Sequence, residues 1–158
     1  MASLKVIKMY NLFIIKTLII LLFCCSSNDL EPCDTMLDIK SLESEYGCEN
    51  TKHLIDIALT DSFKIIRSQS SFDSLVSGPC KPQIDFTMYD LIIGKKGLTS
   101  GNTAIKYEMV RDCKTKMLRL TVTFIQNEAT VALNITYHAL IPKLKDEETI
   151  EVVLQIEY

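Results

Sequence analysis

Six cysteines are the most reactive side chains in this 158-residue chain, and their positions divide them into two kinds of chemistry. Cys24 and Cys25 close an apolar run, whereas Cys33, Cys48, Cys80 and Cys113 are spread through the rest. Cys25 has Leu22 three residues upstream and the small Cys24 directly before it. That is the spacing at which a lipoprotein signal is cut and the exposed cysteine acylated, by a palmitate-class chain. Cys24 fits less well, because the bulky Phe23 would precede the cut. An ordinary export signal ends small–x–small, and Leu22 and Phe23 spoil that ending. Cys25 is therefore expected to carry a lipid, with each buried methylene contributing about 0.8 kcal/mol to membrane affinity.

The other four cysteines are expected to pair, since export places them in an oxidising compartment. Four cysteines allow three connectivities. The favoured one joins Cys33 to Cys48 and Cys80 to Cys113, because each closes a modest loop between neighbouring segments. A metal site is not expected: no CxxC occurs and the thiols are widely spaced. No other cofactor is indicated.

Catalysis needs a nucleophile with a base in reach. The chain has two histidines, His53 and His138. No serine lies in GxSxG and no HExxH occurs. His138 falls opposite to Ile135, Tyr137 and Ala139 in an alternating run, which reads as a solvated strand position. The chain is read as no enzyme; His53 or His138 beside a Ser or Asp in a pocket would reopen that question. The stretch from Gly94 to Gly101 invites a phosphate-loop reading, but GxxxxGK[ST] needs Lys after the second Gly. It reads instead as a Gly-rich loop between strands, the first candidate for a binding surface, with Lys95, Lys96, Gly97, Ser100, Gly101 and Asn102 as its candidate residues. Asn134-Ile135-Thr136 has the form of a glycosylation acceptor but lies in a predicted strand. Asp146-Glu147-Glu148 lacks the ligand spacing of a calcium loop and reads as a solvated turn.

The elements around these residues follow from the hydrophobic pattern. Lys5 and Lys8 precede an apolar run, Leu12 to Phe23, interrupted by Lys16. Spanning a bilayer takes about 20 apolar residues, and only Leu18 to Cys25 is uninterrupted, so residues 1–24 read as a signal peptide rather than a membrane helix. Its removal takes away three lysines and no acids, moving the net charge from −3 to −6. A mildly acidic domain is a poor partner for nucleic acid, which needs clustered cations. Residues 25–50, polar at Ser26 to Asp29 and broken by Pro32, read as a tether. Residues 51–158 read as a single β-rich domain.

Within it, Leu118, Leu120, Val122 and Phe124 alternate with Arg119, Thr121 and Thr123. Ile150, Val152, Leu154 and Ile156 repeat the pattern, as do Ile105, Tyr107 and Met109, and Ile135 to Ile141 before Pro142. Phe63 to Arg67 and Leu91 to Ile93 are shorter apolar runs. Turn residues at Asp112 to Lys116 predict one hairpin, and the charged Lys143 to Glu148 predicts another. One short helix is predicted, capped by Ser70 and closed by Gly78-Pro79. The fold expected is mainly β (α+β): an antiparallel sheet, as a half-barrel or small sandwich, with one helix against a face.

The segment Ile84-Asp85-Phe86-Thr87-Met88-Tyr89-Asp90-Leu91-Ile92-Ile93-Gly94, followed by Gly101 and the strand from Ile105, resembles small uncharacterised lipoproteins of the Bacteroidetes. It is more distantly similar to the C-terminal domain of protease-complex-stabilising (PrcB-like) lipoproteins. The likeness covers about residues 62–125. It makes Ser71 to Val76 the family's helix, Asp85-Phe86 its strand marker, and Gly94 and Gly101 its loop; where the family carries paired glycines this chain has Ser100-Gly101-Asn102. The resemblance implies a non-enzymatic, lipid-anchored protein of the bacterial cell envelope, at the outer membrane, that binds or stabilises an envelope protein partner. A carbohydrate- or small-ligand-binding lipoprotein is the alternative. Sugar-binding sheets usually present aromatics, and of Tyr89, Tyr107, Tyr137 and Tyr158 the middle two sit in phase with the core.

Overall fold

The computed structural model describes residues 34–115 and 117–158. Residues 1–24, expected as a signal peptide, and Cys25 and Cys33 lie outside the described residues. In chain order the elements are β1 (Asp34–Met36), α1 (Leu42–Tyr46), α2 (Thr51–Leu54), β2 (Asp56–Ile57), β3 (Phe63–Ile66), α3 (Gln69–Leu75), β4 (Val76–Ser77), β5 (Tyr89–Leu98), β6 (Asn102–Asp112), β7 (Met117–Gln126), β8 (Leu133–Pro142) and β9 (Thr149–Glu157). They build a four-stranded sheet in the order β1-β6-β7-β9, a three-stranded sheet in the order β3-β5-β8, and a small β2-β4 pair. The mainly β, α+β architecture is the one expected, without closure into a barrel.

The three-stranded sheet is apolar on both faces. Leu91, Ile92 and Ile93 of β5 are all wholly buried. Their side chains alternate, so Ile92 joins the core shared with the four-stranded sheet while Leu91 and Ile93 join a second core beneath the helices. A run apolar at every position, rather than every second one, is what a strand covered on both sides requires. Each such side chain contributes about 1.5–3 kcal/mol by leaving water. Between the sheets, Phe124 of β7 meets Tyr137 of β8 edge-on, ring centres 5.7 Å apart. Gly94 lies inside β5, not at a strand end as the resemblance had it, and opposite Tyr137. A Cβ at Gly94 would stand 2.4 Å from the Tyr137 ring, so glycine is what lets that ring lie across the strand.

The hairpin expected at Asp112 to Lys116 forms between β6 and β7. Asp112 shapes its turn by accepting from the Lys114 and Thr115 N–H groups at 2.8 and 3.1 Å. The second expected hairpin does not form. β9 leaves β8 and pairs parallel with β7, from Met117↔Thr149 to Ile125↔Glu157. The Lys143–Glu148 connector carries the chain from one sheet to the other, so β8 and β9 are never neighbours. The expectation of a wholly antiparallel sheet fails at this one pairing.

Residues 34–50, expected as tether, are part of the domain. β1 pairs with β6 through Thr35↔Arg111 and Met36↔Val110, Lys40 bridges Leu140, and Leu42 is wholly buried. Ser41 caps α1 in a capping box with Ser44, and Gly47 ends it in the left-handed conformation at φ 68°. Three short helices thus stand where one was predicted. The predicted one is α3, capped by Ser68 rather than Ser70 through a bond from the Ser71 N–H. The Asp85-Phe86 marker is not in a strand: Asp85 accepts from the Thr87 N–H and hydroxyl in a turn ahead of β5.

The disulfide joins Cys48 to Cys80, with Cα atoms 5.8 Å apart, and corrects the favoured Cys33–Cys48 and Cys80–Cys113 pairing. Cys48 follows α1 and Cys80 follows β4, so the bond ties α1 to the β2–β4 pair beside the second core. Cys113 is exposed in the β6–β7 turn, on the opposite sheet. Loop length alone could not choose between these pairings, because it ignores which segments the core draws together.

Candidate functional site

The Gly94–Gly101 segment is not a free loop. Lys95, Lys96 and Gly97 belong to β5, and Asn102 opens β6. Lys95 bonds Asp56 at 2.5 Å and Lys96 bonds Asp61 at 3.3 Å. Asp61 also takes the Gly97 N–H at 2.9 Å, and that bond, with Lys96, holds its carboxyl below the usual range. The Gly101 N–H donates to the Ala129 carbonyl at 2.9 Å, and a Cβ there would meet the Asn127 side chain at 2.2 Å. Asn102 is buried, donating to the Ala104 and Ile125 carbonyls across a bulge. Ser100 is half-buried beside it. Five of these six candidates bond within the molecule, and the sixth, Ser100, keeps its hydroxyl buried without a hydrogen-bond partner among the described residues.

The polar site that the fold does assemble lies at the margin of β8. Its cavity holds about 350 Å³ and is lined by Glu43, Asn50, Thr51, Lys52, Tyr107 and His138, with lesser contributions from neighbouring residues. Even-numbered residues of β8 face the helical layer. Thr136 donates its hydroxyl to the Ile55 carbonyl at 2.7 Å, Leu140 enters the core, and His138 lies between them, 3% exposed. The expectation that His138 is solvated is thereby overturned. The face opposite the core is covered by α1, which the tether reading had removed from consideration, and by α2, which the hydrophobic pattern did not reveal. His53, on α2, is exposed.

His138 Nε2 lies 2.6 Å from the Thr51 hydroxyl and 3.4 Å from a Glu43 carboxylate oxygen. Thr51 in turn donates to the other Glu43 oxygen. Burial alone would raise the Glu43 carboxyl, but the bonds from His138 and Thr51 outweigh it and pull the group down to about 2. The His138 backbone N–H donates to the Tyr107 hydroxyl at 3.1 Å, and burial pushes that phenol well above its ordinary range.

A hydroxyl, an imidazole and a carboxylate in contact invite comparison with a nucleophile triad, and the proton count answers it. A threonine hydroxyl has one proton. Thr51 donates it to Glu43, so His138 Nε2 must carry its own hydrogen and donate toward Thr51. The imidazole therefore acts as donor and not as the base that would activate the hydroxyl. In a working triad the acid holds the imidazole by its far nitrogen; here Glu43 approaches the same nitrogen as the hydroxyl. The arrangement fixes α1 and α2 to β8 rather than preparing an attack. Neither Glu43 nor Thr51 was singled out in the sequence. The usable signal was the run Ala139-Leu140-Ile141, apolar on both parities, which marks a strand covered on both faces and so places His138 under cover.

A second surface is the outer face of the four-stranded sheet. Cross-strand register aligns Met36, Val110, Arg119 and Glu151 in one row, Glu108, Thr121 and Val153 in the next, and Lys106, Thr123 and Gln155 in a third. Met36 is 65% exposed, and Arg119 is bonded to Glu151 at 2.8 Å. A shallow concavity of about 360 Å³ opens there between Glu108, Val110, Met117 and Arg119. These rows hold no aromatic side chain. Among the described residues no helix is long and apolar enough to cross a membrane, and no three His, Cys, Asp or Glu side chains gather as a metal site. Compared with known proteins, the chain matches no family model, no curated protein and no solved structure.

Proposed function

We propose that this chain is a non-enzymatic protein of the bacterial cell envelope, anchored at the outer membrane by a lipid on Cys25, whose domain binds another envelope protein through the outer face of its four-stranded sheet. The observation that carries the reading is the composition of that face. Met36 stands open beside Val110, and Arg119 and Glu108 flank the concavity. Methionine and arginine are enriched where proteins meet, and a face without aromatic rings gives a sugar nothing to stack on. The Glu43–Thr51–His138 group favours the non-enzymatic part, since its imidazole donates to the hydroxyl instead of taking its proton.

The test is affinity capture from membranes with the anchored chain as bait. A protein enriched over a Cys25→Ser control, and lost with Met36→Glu or Arg119→Glu, is the expected result. Enrichment that survives both substitutions sends the reading to another surface, and no enrichment removes its main support.

A second reading is favoured by one feature, the 350 Å³ polar cavity beside Glu43 and Lys52, which suits a small polar ligand or a sugar. A glycan array followed by a thermal-shift panel of small polyols and amino compounds tests it. Hits that vanish in Glu43→Gln favour this reading, and a blank array and panel set it aside.

A further inference from the structure

β9 is the margin of the four-stranded sheet. β7 takes one side of it through nine paired residues, and among the described residues no strand takes the other side. Edge strands are normally blunted by shortness, Lys, Pro or a bulge. β9 has nine residues, contains neither Lys nor Pro, and its ladder with β7 is unbroken. Its inward row packs Ile150, Val152 and Leu154 against the core, while Ile156 is 44% exposed. Its charges, Glu151 and Glu157, lie on the outer face.

We propose that β9 pairs antiparallel with β9 of a second copy about a two-fold axis through Val153, joining two four-stranded sheets into one of eight. The strand is self-complementary in that register. Val153 faces itself, Val152 meets the partner's Leu154, and Ile150 meets the partner's Ile156. On the outer face Glu151 meets the partner's Gln155, and Thr149 meets the partner's Glu157. Opposed residues of a sheet share a face, so apolar rows meet apolar rows throughout. Other registers fail on charge or pair fewer residues of the strand. An axis through Glu151 sets that carboxylate against itself, one through Val152 sets Glu157 against the partner's Glu147, and one through Leu154 sets Glu151 against the partner's Glu157. Only the Val153 axis pairs all nine residues and keeps acids from facing each other. The exposed Ile156 is covered in the same step. This dimer uses the sheet's edge and leaves its outer face open, so it stands apart from the docking reading above.

Gln155 reads the register, because it faces Glu151 twice in a symmetric dimer. The experiment is the molecular mass of the full chain in detergent, by light scattering across a concentration series. A concentration-dependent dimer is expected. Gln155→Lys should lower its dissociation constant about three- to tenfold and Gln155→Glu should raise it by a similar factor. A chain that stays monomeric at every concentration, with Gln155→Lys included, overturns the proposal. So does a dimer whose dissociation constant ignores the charge at 155, since it must then use another surface.

Discussion

At the scale of single residues, Glu43, Thr51 and His138 show how a carboxylate can be held ionised by bonds within the fold. Glu43 titrates near 2 in the folded chain, against 4.5 for an unperturbed group. Its folded value lies below its unfolded one, so its contribution to stability is complete above about 4.5 and is lost as the pH falls toward 2. The side chain is 40% exposed, which screens the interaction and brings the contribution to about 1 kcal/mol. Acid unfolding of the natural chain should therefore steepen between pH 4.5 and 2 relative to Glu43→Gln, read by circular dichroism. Superimposable profiles would show that the carboxylate contributes nothing. Asp90 presents the contrasting case. It is wholly buried, bonded to Lys143 at 2.6 Å, to the Leu144 N–H at 3.2 Å, and 3.4 Å from Arg67. Its cations reach water, with Lys143 39% and Arg67 59% exposed. Asp90→Asn leaves those cations solvated and should cost about 1–2 kcal/mol. Lys143→Met strands a buried anion with weaker partners and should cost more, about 3 kcal/mol. Urea denaturation of both variants checks the order, and a larger loss from Asp90→Asn would contradict it. Neither site was legible in the linear sequence: His138 read as solvated and Asp90 drew no notice. Polar residues at buried positions are identified by what covers them, and alternation reports only the strand that carries them.

At the scale of elements, legibility tracked how local the pairing is. The β6–β7 hairpin could be read because two alternating strands flank a short turn whose Asp112 bonds the two following N–H groups. β9 was recognised as a strand, but its partner was not, because β8, its neighbour in the chain, pairs with β5 and belongs to the other sheet. α1 fell inside the stretch read as tether, and α2, at the first residues of the predicted domain, was not read as a helix. They are short, five and four residues, and carry too few turns for a 3.6-residue period to show. What fixes them is tertiary: Leu42 in the core, Thr51 against His138, and the Cys48–Cys80 bond. That bond spans 32 residues, and closing such a loop stabilises by about 3–4 kcal/mol through the unfolded chain's lost freedom. The Cys48→Ser, Cys80→Ser double variant should lose that amount in urea denaturation. Reductant should destabilise the natural chain by at least that amount and the double variant by less. If reductant has no effect on the natural chain, the two thiols are not bonded in the native protein.

At the scale of the whole molecule, the layers constrain where the domain can stand. β1 begins at Asp34 and pairs with β6, so the domain reaches 17 residues further toward the N-terminus than the break at residue 51 that composition suggested. If Cys25 carries the lipid, only residues 26–33 separate anchor from sheet, and a chain of that length reaches at most about 30 Å. A tether running to residue 50 would have allowed nearly three times that. The shorter reach keeps the domain beside the bilayer and suits a partner that is itself at the membrane surface, since a module held there cannot sample the depth of the compartment. The first consequence is covalent. Intact mass of the membrane-extracted protein should exceed that of the chain from Cys25 by an acyl modification, and Cys25→Ser should release the domain from the membrane fraction. The second is geometric. A fluorescent amino acid incorporated at Lys114 in the β6–β7 turn, with quencher in the lipid headgroups, should report a distance that grows when a flexible insert of ten residues follows Ser27. An unmodified species starting elsewhere would defeat the anchor. A modified species whose quenching ignores the insert would keep the anchor but place the domain against the membrane through contacts of its own.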